Sequence, residues 1–214
     1  ISIENARATL AITENAQWQS VLDKATGREL APASESLPIA EIRHTGQRWI
    51  AAKATLDSNV LTVSFANTDT VLTYAIESEE NWILFRLTSI AGTRPESMTL
   101  LQLPVAITEN VGRRLNAAWD EQTAVCMMAA TRQANCSARS GRHATLAATT
   151  QDAPGPKLEG AAVVILICPT SDLKAVAREA SHAFGLLTNE NQDGIPVKDT
   201  DLVRGSYWFL SFGE

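Results

Sequence analysis

Apolar and polar residues alternate through short runs along most of this chain, the pattern of strands with one covered face. "ARATLAIT" is the first clear run, and a short turn at Glu14-Asn15 leads into "AQWQSVLDKATGREL". In that second stretch a period of two places Trp18, Ser20 and Leu22 on one face. "DKATGREL" reads as a tight turn, because Asp23 can accept hydrogen bonds from its own backbone and Gly27 can take positive φ. "LPIAEIRH", "RWIAAKATL", "VLTVSFA", "TVLTYAIES" and "NWILFRLTSI" follow, divided by "DSN", "ANTD" and "SEEN". "MTLLQLPVAIT", "TAVCMMAAT", "RHATLAATT" and "AAVVILICP" continue the series. Ten or more short strands at near-regular spacing predict an all-β fold, a large antiparallel β-sandwich.

One segment has a helical period instead. In "PTSDLKAVAREASHAFG", Leu173, Val176, Ala177, Ala180 and Phe184 fall on one side. The expected helix runs from about Asp172 to Phe184, with Ser171 or Thr170 as N-cap and Gly185 as the stop. The chain therefore divides into a sandwich, residues 1–170, and a tail, residues 171–214, of linker helix, polar loop and apolar strand. That last strand, "SYWFLSF", is apolar on both faces, as strands covered on both sides are. Tyr207, Trp208, Phe209 and Phe212 are thus expected at an interface with a following domain; the alternative is a return to the sandwich as a last central strand.

Composition narrows the functional classes. The 214 residues are 45% hydrophobic, enough for a real core, and carry a net charge of −6. Their Lys and Arg residues are scattered, which argues against nucleic acid as partner and against docking on an anionic membrane. Cys126, Cys136 and Cys168 lack CxxC or CxxH spacing, so neither a disulfide framework nor a structural zinc site is expected. No apolar run reaches the roughly 18–20 residues that span a bilayer. The chain opens on Ile1, and if a leader has been removed the expected location is secreted or periplasmic.

Strands around "QWQSVLDKATGREL", a many-stranded body and a helix feeding into "RGSYWFLSFGE" together resemble a known kind of domain. It is the galactose-mutarotase-like β-sandwich that lies N-terminal to the (β/α)8 catalytic barrel of several glycoside hydrolases. The resemblance implies that "YWFLSFGE" approaches the barrel and that the catalytic carboxylates lie beyond this chain, with no catalytic residue of its own. It further implies contact with a C-terminal catalytic domain and with carbohydrate.

A free-standing mutarotase needs a general acid and a general base about the sugar C1–O5 region, and His44, His143 and Glu159 are the candidates. Flat indoles stack on sugars. In "RRLNAAWDEQ" the sequence puts Trp119 beside Asp120 and near Arg113, a combination suited to a sugar-binding rim; Trp49, after "TGQR" at a strand start, is a second candidate. "NENQDG" matches the first half of a calcium loop through Asn189, Asn191 and Asp193, but Thr200 stands where a bidentate Glu belongs, so calcium is a weak candidate. The expectation is a non-catalytic N-terminal domain of a carbohydrate-active enzyme. The alternatives are a stand-alone carbohydrate-binding module, or an enzyme like an aldose epimerase or polysaccharide lyase.

Overall fold

The computed structural model describes residues 1–33, 37–112, 115–151 and 158–186. Arg113, the calcium-like Asn189, Asn191 and Asp193, and the apolar Tyr207, Trp208, Phe209 and Phe212 lie outside the described residues. Four strands form a small antiparallel sheet: β1 (Ser2–Glu4), β2 (Ala8–Ile12), β3 (Trp18–Asp23) and β4 (Arg28–Glu29). The remaining strands are β5 (Glu41–His44), β6 (Gln47–Asp57), β7 (Val60–Phe65), β8 (Val71–Ser78), β9 (Trp82–Ala91), β10 (Ser97–Val105), β11 (Asn110–Gly112), β12 (Ala117–Trp119), β13 (Thr123–Ala129), β14 (Asn135–Arg139), β15 (Ala144–Gln151) and β16 (Ala162–Pro169). They make one long antiparallel sheet in the order β11-β12-β13-β16-β9-β8-β7-β6-β5-β10-β15-β14. Its two ends curl round until β13 lies against β14 and β15. The architecture is the all-β one that the alternating pattern predicts.

The main core sits inside this curled sheet and under the small one. Leu10, Ile12 and Val21 of the small sheet join Leu61, Leu72, Phe85, Leu103 and Leu146 of the large one, all essentially without solvent contact. Tyr74 on β8 is buried there too, and its hydroxyl donates to the Leu100 carbonyl on β10 at 3.0 Å. A second cluster lies on another face, where the helix α1 (Leu173–Ala183) buries Val176 and Ala180 with Leu84, Cys126, Val164 and Leu166. Phe184, just past the helix, meets Trp82 edge-on with ring centroids 5.9 Å apart. Gly185 follows at φ +61°, the left-handed stop that the sequence predicts.

Two bulges decide which side chains face outward. On β3 the pairing slips between Ala11–Ser20 and Ile12–Trp18, so Gln19 is the extra residue. Trp18 is buried, and Val21 and Asp23 are buried in place of Ser20 and Leu22, which corrects the face expected from a strict period of two. On β10 the register shifts between Thr99 and Leu101, turning Leu100 and Leu101 both into the core. Ser97, Thr99 and Gln102 thereby line one groove outside that core.

The helix begins differently from expectation. Thr170–Asp172 form a 3₁₀ turn, and Asp172 occupies the N-cap with helical φ and no side-chain cap. The Thr170 hydroxyl donates instead to the Asp120 carbonyl at 2.8 Å, which fastens the helix start to the turn after β12.

Candidate functional site

Asp23, at the end of β3, and Asp120, in the turn between β12 and β13, form a closely bonded polar centre. Asp23 closes the β3–β4 turn by accepting from the Ala25 N–H at 3.0 Å and the Thr26 hydroxyl at 2.8 Å. Its Oδ2 also accepts from the Thr123 hydroxyl at 2.9 Å, a bond from the small sheet to β13. Asp120 accepts from the N–H groups of Gln122 and Thr123, both at 2.9 Å, and pairs with the Arg28 guanidinium. A shallow cavity of about 310 Å³ opens beside Arg28, Glu109, Asp120, Glu121 and Gln122. Asp120, read from sequence as part of a sugar-binding rim, is thus buried and committed to a turn and an ion pair.

Trp119, its neighbour, is half-buried against the helix-side cluster. A Cβ added to Gly112 would come within 2.8 Å of the indole, so the ring lies against the bare backbone of that glycine. Trp49 is half-buried against the main core and pairs across strands with Ile42. It stands on β6, with β13, β16, β9, β8 and β7 between it and the strand of Trp119. The two indoles do not share a site.

His44, His143 and Glu159 are not brought together either. Arg43 pairs with Ser97 at one end of β10, and Ala144 pairs with Val105 at the other. The adjoining His44 and His143 are therefore separated by about 25 Å along the strand. Nδ1 of His44 lies 3.9 Å from Glu96, and Glu159 holds Arg94 through two bonds of 2.7 and 2.9 Å. This geometry rules out the mutarotase trio.

Two larger grooves remain. An apolar one of about 640 Å³ runs beside α1, lined by Leu115, Cys126, Met128, Leu173 and Ala177. A polar one of about 580 Å³ lies over β5, β10, β15 and β14, and Arg43, Arg48 and Arg139 reach into it beside Glu41. Sequence reasoning missed it because its residues come from strands that become neighbours only in the folded sheet. None of the three cysteines forms a disulfide, and burial pushes the Cys126 and Cys136 thiols up to about 12 and that of Cys168 to about 11. Among the described residues no group of three or more His, Cys, Asp or Glu could hold a metal ion, and no helix is long and apolar enough to cross a membrane.

Two carboxylates make stability depend on acid. Burial opposes ionisation of Asp120, but the Thr123 and Gln122 N–H groups and Arg28 outweigh it, so its pKa lies below the ordinary value. Burial likewise opposes ionisation of Glu41, and Arg48, Gln102 and Arg43 hold its pKa down. A depressed folded pKa contributes stability that is complete above the unfolded value of about 4 and is lost as pH falls through the folded one. The urea midpoint is expected to drop between roughly pH 5 and pH 2, less steeply in Asp120→Asn. A midpoint flat across that range would contradict the assignment.

The fold is a curled antiparallel sheet closed by a smaller one, and it is shared with larger proteins. No family model matches the sequence, and no curated protein matches it. Among solved structures, the chain is similar to the α-N-acetylgalactosaminidase NagBb from Bifidobacterium bifidum in its complex with GalNAc, with a TM-score of 0.57 and 11% identity. A quadruple mutant of that enzyme gives a TM-score of 0.55 and 10% identity. In both comparisons the match covers 86% of this chain but only 38% of the enzyme chain.

Proposed function

We propose that the chain is a non-catalytic β-sandwich domain of a glycoside hydrolase, related to the galactose-mutarotase-like sandwiches, which supports a catalytic domain and contacts carbohydrate. The observation that carries this reading is the likeness of fold to 38% of an α-N-acetylgalactosaminidase chain, a share that leaves room there for a catalytic domain. Support comes from the separation of His44 and His143, which removes the one acid–base trio found in the sequence. The apolar groove beside α1, next to the 58% exposed Leu115, fits the same reading, since interfaces between domains of one chain commonly cover several hundred to about 1,500 Å².

The test is to produce the chain alone and together with whatever follows Glu214 in its natural reading frame. The longer protein is expected to melt at a higher temperature and to hydrolyse a glycoside that the chain alone leaves intact. A reading frame that closes at Glu214, or equal melting with no glycosidase activity, would overturn the proposal.

A further inference from the structure

The polar groove over β5, β10, β15 and β14 joins a floor of short side chains to a rim rich in guanidinium groups. Its floor is made of short side chains, among them Ser97 and Thr99 of β10, Ser137 of β14, and Thr145, Ala147 and Thr149 of β15. Such a floor lets a ligand approach the sheet closely and offers it hydroxyl donors and acceptors. The β10 bulge is what keeps Gln102 in line with Ser97 and Thr99 along this groove.

Around that floor the charge is unusual for the chain. Three guanidinium groups face one carboxylate, although the whole chain has a net charge of −6. Arg48 is committed to Glu41, donating from Nε at 2.8 Å with a second bond from its terminal nitrogen. Arg43 stands beside Arg48 across the β5–β6 hairpin, whose turn at Thr45 and Gly46 has positive φ at both residues and fixes that pairing. Among the described residues the side chains of Arg43 and Arg139 form no direct hydrogen bond or ion pair, although Arg43 is near enough to Glu41 to help hold its carboxylate ionised. Both are exposed at the groove.

Their placement sets the length of what would fit. Arg43 is level with Ser97, whereas Arg139 is level with Thr145 and, through it, with Pro104. The two arginines stand at opposite corners, about 14 Å apart across the strands and about 20 Å along them. A single sugar ring cannot bridge that diagonal, but a short linear chain with repeated anionic groups can. Among the described residues no aromatic side chain lines the groove, so the recognition these residues offer is by charge and hydroxyl groups and not by stacking on a neutral sugar.

We infer that this groove binds an acidic oligosaccharide, with Arg43 and Arg139 each taking a carboxylate or sulfate and the hydroxyl-rich floor taking the sugar hydroxyls. Guanidinium groups suit both anions through paired N–H donors. The inference rests on the carbohydrate reading above, but the two fail separately, because this one concerns a single groove and the other concerns a following catalytic domain.

The experiment is calorimetric titration of the 214-residue chain with oligogalacturonate, a sulfated galactan oligosaccharide, a neutral galactan oligosaccharide and poly-glutamate. Binding of one or both acidic oligosaccharides is expected, weakening as salt screens the charges. Arg43→Gln and Arg139→Gln are each expected to weaken it roughly ten- to hundredfold. Unchanged melting temperatures would show that these exposed substitutions leave the fold intact. Carboxylate and sulfate arms identify which anion is preferred, and either supports the inference. Binding of poly-glutamate alone would assign the groove to an acidic protein segment and overturn it. Equal binding of neutral and acidic sugars, indifference to both substitutions, or no binding at all would overturn it too, and each would leave the domain's place beside a catalytic barrel to be judged by its own test.

Discussion

Asp120→Ala is expected to destabilise the fold by about 3 kcal/mol, lowering the melting temperature by about 10 °C. The substitution strips the acceptor from the Gln122 and Thr123 N–H groups, the second of which belongs to a residue with no solvent contact. It also frees Arg28, and with it one of the ties between the β4 turn and the far end of the long sheet. Asp120→Asn keeps an oxygen for the two N–H donors and loses only the ionic part, so about 1 kcal/mol is expected. Glu121→Ala, one residue on and exposed, is the control and should stay within about 0.5 kcal/mol. Chemical denaturation of the four proteins decides it. A loss below about 1 kcal/mol for Asp120→Ala would mean that the link between sheets carries little of the stability.

Gly92→Ala is expected to cost about 3–4 kcal/mol, against about 1–2 for Gly27→Ala. Both glycines have positive φ, +74° and +69°, so the backbone penalty is shared. What differs is space. A Cβ on Gly27 meets nothing within 4 Å, whereas one on Gly92 would sit 2.2 Å from the Asp69 carbonyl oxygen. That carbonyl belongs to a corner held by the Thr93 N–H donating to the Asp69 carboxylate at 2.9 Å and the buried Thr70 hydroxyl donating to the Thr93 carbonyl at 2.7 Å. The backbone must shift to admit the methyl, and those bonds go with it. Equal unfolding free energies for the two variants would refute the steric argument.

The long strands were readable because alternation needs only a few residues to show itself. β8, for example, falls within "TVLTYAIES", and β9 falls within "NWILFRLTSI" but for its last residue, Ala91. β1, β4, β11 and β12, of two or three residues each, were not, since so short a run carries no period. β14 was missed for another reason: "NCSAR" is polar and its place comes from pairing with β15. The Asp23 turn was legible because its bonds are local, reaching only to Ala25, Thr26 and Gly27. Its partner Thr123 lies a hundred positions away, and nothing in either segment announces the bond between them. The same distance hid the guanidinium-lined groove, whose arginines come from β5, β6 and β14. Trp119 and Asp120 drew notice as an indole beside charge, but that pairing reflects a turn whose carboxylate is consumed internally.

The position of β16 governs the order in which this molecule can assemble. It is the last strand along the described chain, yet it lies between β9 and β13, pairing Val163 with Phe85 on one flank and with Ala129 on the other, where Val164 faces Met128. On a ribosome adding about 5–20 residues per second, the open edge of β9 waits for several seconds before Ala162–Pro169 emerge to cover it. Until then two apolar edges stand ready to recruit any passing strand. Nascent chains stalled before Ala162 should therefore depend on chaperones far more than chains released after Pro169.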